Sequence, residues 1–331
     1  MTADVERKEW QPIHPEFLPK LLPEYIAHHN NTTLWTPGIH EIPWHPSIRN
    51  RPAVAGGSPP LQVGSIRDIQ LKNCMIRVFT PEGTAPSEGW PVFIFFHGGG
   101  WCLGTIDSEN SFSTNMCKRA NCVVVSVDYR LGPENKYPAA VEDTEDALYW
   151  VFNKGKEEIG ININKIAVGG SSSGGNLAAI ATHKAALANP PISLVFQLLV
   201  VPVTDNTAST SGEPHKSWLE NANTPALTPA RMLWFRENYT PNKEDWTKWD
   251  NSPIFAPEEL FKKSPPAWIG VAELDILRDE GLAYGEKLKN AGVPVEVKVY
   301  KGAPHPIMAQ DVGRQLVTDA VEALGKAFGT L

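Results

Sequence analysis

Cysteine is scarce in this chain of 331 residues, and the four present, Cys74, Cys102, Cys117 and Cys122, form no C-x-x-C pair. They supply no metal-ligand cluster, and no metal site is expected. They read as small core residues in a reducing, cytoplasmic setting. Long apolar runs are missing too. Ser193 to Val203 is at most a buried strand, so no membrane span and no membrane partner are expected. The first residues, Met1 to Lys8, are polar and lack the apolar stretch of a secretory signal. An excess of positive charge is absent: the formal net charge is −7, which argues against nucleic acid or an anionic membrane as partner. There is no internal repeat and no low-complexity tract.

What the chain does have, from about Ser65 onward, is alternation. Ser65 to Ile69 and Met75 to Thr80 read as a leading antiparallel pair. Pro91 to Phe96, Val123 to Tyr129, Ile166 to Val168, Ile192 to Val201, Trp268 to Ala272 and Val295 to Tyr300 read as strands. Helical stretches interleave with them: Ala139 to Phe152, Gly175 to Leu187, Asp279 to Ala291 and Asp311 to Phe328. The fold class is therefore α/β, with a mainly parallel central sheet covered by helices on both faces. Two segments break the pattern. Residues 1–60 are rich in proline, histidine and tryptophan, with a helix expected near Phe17 to His28. Residues 204–250 are polar and turn-rich, with one helix from Pro229 to Tyr239.

The most informative stretch is Gly169-Gly170-Ser171-Ser172-Ser173-Gly174-Gly175-Asn176, set between a short apolar strand and a helix-forming run. A phosphate-binding P-loop is excluded, because no Gly-Lys-Ser/Thr follows at the required spacing. Read as G-x-S-x-G, the run is a strand that turns sharply into a helix and lifts one serine hydroxyl above the sheet edge. Three adjacent serines make the register a question. Only Ser172 has glycine at both minus two and plus two.

A second glycine run, His97-Gly98-Gly99-Gly100-Trp101, follows the buried strand Pro91 to Phe96. Three glycines carry a high backbone entropy cost as a mere joint. They make sense where bare N–H groups must approach a negatively charged tetrahedral intermediate, a donor set in which each member is worth roughly 3 kcal/mol. Downstream, Asp275 and His305 both lie just past strand ends, where an open parallel sheet gathers its site. Of the other histidines, His14, His28, His29, His40 and His45 precede the sheet. His183 lies in the helix after the serine turn, His215 lies in a polar irregular stretch, and His97 is placed to buttress the glycine loop. Cys102 lies beside that loop but has no sharp turn to present it.

These motifs, with Asp128-Tyr129-Arg130-Leu131-Gly132-Pro133-Glu134, Tyr137 to Asp143 and Ala272 to Gly281, resemble the hormone-sensitive lipase family of α/β-hydrolase carboxylesterases. The resemblance covers roughly Pro91 to Ile307. It implies an α/β-hydrolase fold in which Ser172 is nucleophile, Asp275 the acid and His305 the base. The oxyanion donors are then the N–H groups of Gly99, Gly100 and Ser173, and Trp101 is the aromatic placed to meet substrate. Residues 1–60 and 204–250 become a helical cap over a core of 61–203 and 251–331, with Trp35, Trp44, Trp218, Trp234 and Phe235 in the cap. The implied substrate is a small-molecule ester with a short to medium acyl chain, and no cofactor is required. The same triad also serves amides, lactones, thioesters and acyl transfer. The gibberellin receptors resemble this family as binders without the catalytic histidine, which is present here as His305. A homo-oligomer stays open. Two departures stand out. The residues beside Ser172 are serines where the family usually has Asp or Thr before and Ala after, and Pro306-Ile307 replaces the usual Gly-Phe.

Overall fold

An unbroken apolar run needs cover on both faces, and every residue of β3 (Trp90–Phe96) is buried. The computed structural model describes residues 8–50, 57–309 and 312–331. The other strands are β1 (Ser65–Gln70), β2 (Met75–Thr80), β4 (Val123–Asp128), β5 (Ile161–Ser171), β6 (Leu194–Val200), β7 (Ala267–Ala272) and β8 (Val295–Tyr300). They form one sheet in the order β1-β2-β4-β3-β5-β6-β7-β8. The pairs β1–β2 and β2–β4 are antiparallel and all others are parallel, as the alternation of elements requires. The outer strands β1 and β8 carry mostly exposed or half-buried residues, which suits sheet edges.

Period-two alternation in β3 sends its side chains into two separate cores. Val92, Ile94 and Phe96 join residues of α3 (Ala139–Ile159), α4 (Ser173–Leu187) and α8 (Arg278–Asn290) on one face. Phe93 and Phe95 join α2 (Asn110–Arg119) and α9 (Val312–Phe328) on the other. The remaining helices are α1 (Pro23–Asn31), α5 (Ser217–Glu220), α6 (Pro229–Tyr239) and α7 (Glu258–Lys262).

Several boundaries differ from the sequence expectation, each for a local reason. The first helix starts at Pro23 rather than Phe17, because Pro23 fits only the first turn and holds Leu22 extended at ψ 135°. The helix expected to end at Phe152 runs to Ile159, where Gly160 takes a left-handed backbone (φ 66°) and stops it. Helix α2 escaped notice because its buried face includes Ser113, Thr114 and Asn115, which hide the apolar period. Met1 to Arg7, read for a leader, and Asp311, the expected start of the last helix, lie outside the described residues. Among the described residues no helix is long and apolar enough to cross a membrane. All four cysteines are buried free thiols.

His183 on α4 is buried edge-on between the rings of Trp249 and Phe261. Burial pushes its pKa down to about 4, so the folded protein keeps it neutral while the unfolded chain protonates near 6.5. Its contribution to stability is complete above pH 6.5 and is lost as the pH falls towards 4. Relative to a His183→Phe variant, the native chain should lose up to about 3 kcal/mol of unfolding free energy across that window. Urea unfolding of both proteins at pH 7, 5.5 and 4.5 measures the difference.

Candidate active site

Five parallel strands, β3-β5-β6-β7-β8, end side by side, and the register fixes what they present. Phe96 of β3 pairs with Gly170 of β5, Ser171 with Val200 of β6, and Ala272 of β7 with Tyr300 of β8. The glycine loop, Ser172, Asp275 and His305 therefore follow at one edge of the sheet.

Ser172 joins β5 to α4 at φ 53° and ψ −115°, a conformation that costs an ordinary residue about 1–3 kcal/mol. Its N–H donates to the carbonyl of Val200 at 2.8 Å, and its carbonyl accepts from the N–H groups of Asn176 (3.0 Å) and Val203 (3.2 Å). The flanking glycines leave no room for substitution. A Cβ on Gly170 would stand 2.3 Å from the Gly174 carbonyl, and one on Gly174 would stand 2.0 Å from the Phe96 carbonyl oxygen.

Of the three adjacent serines, Ser172 is the one that meets a histidine. Its Oγ lies 2.9 Å from His305 Nε2, and His305 Nδ1 lies 2.7 Å from Asp275 Oδ2. Asp275 is fully buried, and its other oxygen accepts the Leu277 N–H at 3.1 Å. An acceptor on Nδ1 fixes the imidazole tautomer with Nε2 free to accept the serine proton. Ser171 Oγ instead donates to Glu109 Oε1 at 2.7 Å, and Ser173 Oγ sits 3.4 Å from the Tyr129 hydroxyl.

The glycine loop holds Gly99 at φ 125° and Gly100 at φ 60°. Among the described residues, the N–H groups of Gly99, Gly100 and Ser173 donate to no protein acceptor, so all three remain available. His97 anchors the loop: its Nδ1 donates to the Gly98 carbonyl at 2.7 Å, and its ring stacks on Tyr129 at 4.4 Å. Burial pushes its pKa down to about 4, so it stays neutral and built in. Cys102 is also buried, and its thiol is pushed up to about 12, which leaves it without thiolate character.

Trp101, expected at the substrate, is placed differently. It has no exposed surface, and its indole stacks on Tyr239 at 4.6 Å. A side chain with every face covered supports the loop from behind. The acidic loop residues bind arginines. Asp143 accepts the Arg130 backbone N–H at 2.7 Å and its guanidinium at 3.0 Å, Glu142 pairs with the same Arg130, and Glu134 takes Arg49.

Four polar residues had no motif to mark them. Asn221 Nδ2 donates to the carbonyls of Glu273 (3.3 Å) and Asp275 (2.9 Å), Thr224 Oγ1 to that of Leu274, and Ser217 Oγ to that of Ile276. The segment 204–250 thus grips the backbone that carries Asp275. Glu109 is the fourth, in a polar stretch with no recognisable spacing. Burial pushes its carboxyl up to about 7, against hydrogen bonds from Ser171 and the Gly98 N–H.

A mainly parallel sheet whose strand ends bring a serine on a strained strand–helix turn, a histidine and a buried aspartate into line defines an α/β-hydrolase. A family profile described as alpha/beta hydrolase fold matches residues 93–309. The chain is 46% identical over 334 residues to an AB hydrolase superfamily protein of Schizosaccharomyces pombe, covering 96% of this chain and 97% of that one. It is 36% identical over 263 residues to carboxylesterase NlhH of Mycobacterium tuberculosis, covering 79% and 78% of the two chains. Among solved structures, an alpha/beta hydrolase enzyme from the metagenome of Lake Arreo superposes with a TM-score of 0.84 at 29% identity, covering 94% of this chain and all of that one. The chain belongs to the hormone-sensitive-lipase-like carboxylesterase family of α/β-hydrolases.

Replacing Asn221 with alanine would remove one of two donors from each of two carbonyls of the Asp275 loop, leaving the Arg278 N–H on Asp275 (3.3 Å) and its guanidinium on Glu273 (3.2 Å). The expected cost is about 1–3 kcal/mol of stability. Denaturant unfolding of Asn221→Ala against the native chain checks it.

Proposed function

We propose that this chain is a serine carboxylesterase that works through an acyl-enzyme on Ser172. The observation that carries the reading is the continuous hydrogen-bonded line from Ser172 Oγ through His305 to Asp275. As Ser172 attacks the ester carbonyl, His305 Nε2 takes its proton, and Asp275 orients the ring and offsets the imidazolium charge. The N–H groups of Gly99, Gly100 and Ser173 receive the oxyanion, helped by the N-terminus of α4. His305 then returns the proton to the leaving alcohol. Water follows by the same route: His305 takes a proton from it, the acyl–serine bond breaks, and Ser172 regains its hydrogen.

The segments 1–60 and 204–250 act as a cap on a core of 61–203 and 251–331. Contacts between the two pieces and with the loop support this: Trp44 packs on Trp234 at 5.9 Å, and Phe235 lies against Gly100 so closely that a Cβ there would meet its ring at 2.4 Å. A cap with aromatic walls excludes water and holds an apolar acyl group. The substrate class is a small ester with a short to medium acyl chain, and the buried free thiols suit a cytoplasmic setting.

Ser172→Ala and His305→Ala should each lower ester turnover by about 10⁴-fold or more. Ser171→Ala should retain at least about a tenth of the rate, because its hydroxyl bonds Glu109 and touches no reacting atom. Equal loss at Ser171 and Ser172, or a phosphonate adduct mapped to Ser171 or Ser173, overturns the assignment. Initial rates on a p-nitrophenyl ester series should peak at short to medium acyl chains. A rate that instead jumps at the solubility limit of an emulsified long-chain triglyceride would replace the closed pocket with an interfacial lipase.

A further inference from the structure

Glu109 stands between the glycine loop and α2 with its backbone at φ 61°, the left-handed region. One carboxylate oxygen, Oε1, accepts from the Ser171 hydroxyl at 2.7 Å and from the Gly98 N–H at 3.4 Å. These donors belong to separate parts of the site. Ser171 ends β5 and is bonded directly to Ser172, whereas Gly98 leads into Gly99 and Gly100. The other oxygen, Oε2, is buried and has no hydrogen-bond partner.

The surroundings are shaped to this contact. A Cβ on Gly98 would stand 2.7 Å from Ser171 Oγ and 3.4 Å from Glu109 Oε1. A side chain at 98 would therefore push the Ser171 hydroxyl from its place beside Glu109. Three consecutive glycines are intrinsically loose, and a hole for an oxyanion works only when its donors are fixed within a few tenths of an ångström. The far end of the loop is pinned where the N–H groups of Cys102 (3.2 Å) and Leu103 (2.9 Å) donate to the Gly99 carbonyl. At the near end, the Gly98 N–H is held by Glu109.

We infer that Glu109 is a positioning residue for ester hydrolysis, its carboxyl tying Ser171 to Gly98 and so setting the spacing between the Ser172 hydroxyl and the oxyanion-binding N–H groups. The inference rests on the Ser172 reading above. Glu109 touches neither substrate nor reacting atoms, so its effect falls on kcat rather than on ground-state binding.

The test is steady-state kinetics of the full chain on p-nitrophenyl butyrate, with thermal unfolding recorded for every variant. Glu109→Ala should lower kcat by about 10–100-fold with KM changed by less than about threefold. Glu109→Gln keeps an acceptor oxygen and should return kcat to within about threefold of native. Glu109→Asp keeps the charge but is one methylene too short to reach both donors, and should lose at least about fivefold. Because Glu109 and Ser171 act through one bond, Glu109→Ala combined with Ser171→Ala should be no slower than Glu109→Ala alone within about twofold. Native kcat in folded Glu109→Ala or Glu109→Asp overturns the inference, as does a loss confined to KM. So do effects of Glu109→Ala and Ser171→Ala that multiply, and a Gln variant as slow as the Ala variant. If Glu109→Ala fails to fold, the Asp and Gln variants decide alone. Ser172→Ala run in parallel separates the two readings: activity retained there refutes the nucleophile assignment, whatever Glu109 does.

Discussion

Where β5 gives way to α4, the chain must turn within one residue while Gly174 passes close to the Phe96 carbonyl. That close approach leaves Ser172 at positive φ, and the site follows from it. The turn lifts one hydroxyl clear of the strand, opens the first N–H of α4 and brings the end of β5 against the end of β3. The strain at Ser172 persists because Val200, Asn176 and Val203 hold its backbone from both sides. A larger side chain at 170 or 174 would separate the helix from the sheet before it touched any substrate.

Charge is handled by burial and pairing around this turn. His97 is kept neutral by its buried place on Tyr129, so the ring that braces the glycine loop adds no positive charge. Asp275 is buried but satisfied by His305 and the Leu277 N–H. Glu280 on α8 is likewise buried and pushed up to about 7 by burial, yet it accepts the Thr204 N–H and the Trp218 indole N–H. These contacts fasten the start of the segment 204–250 to the core. Further along the segment, Arg236 lies between the rings of Trp218 and Trp246, and burial pushes it down to about 10. The segment is therefore anchored by polar groups with few alternatives, and the same anchoring reaches Asp275 through Asn221 and Thr224.

The serine turn, the glycine loop and the strands were legible because each is a local pattern with a local physical cause. G-x-S-x-G reports a steric limit, and an unbroken apolar run such as Pro91 to Phe96 reports burial on both faces. Strands Met75–Thr80 and Val295–Tyr300 and helix Pro229–Tyr239 coincide with the expected ranges for this reason. Helix α2 was illegible because buried serine, threonine and asparagine erase the apolar period. Trp101 was misread because sequence proximity to the loop says nothing of which way an indole packs. Glu109 and Asn221 carry no spacing signal, since their partners lie far away along the chain.

By itself, the sequence determined the α/β class, the succession of the strands along the chain and the G-x-S-x-G register of the serine motif, because those depend on neighbours within one turn or one strand. Only the tertiary structure decided which distant groups meet: His305 on Ser172, Asp275 behind it, Glu109 beneath Ser171 and Trp101 turned onto Tyr239. Those contacts depend on strand register and on the path of long connections. No local pattern of residues encodes either one.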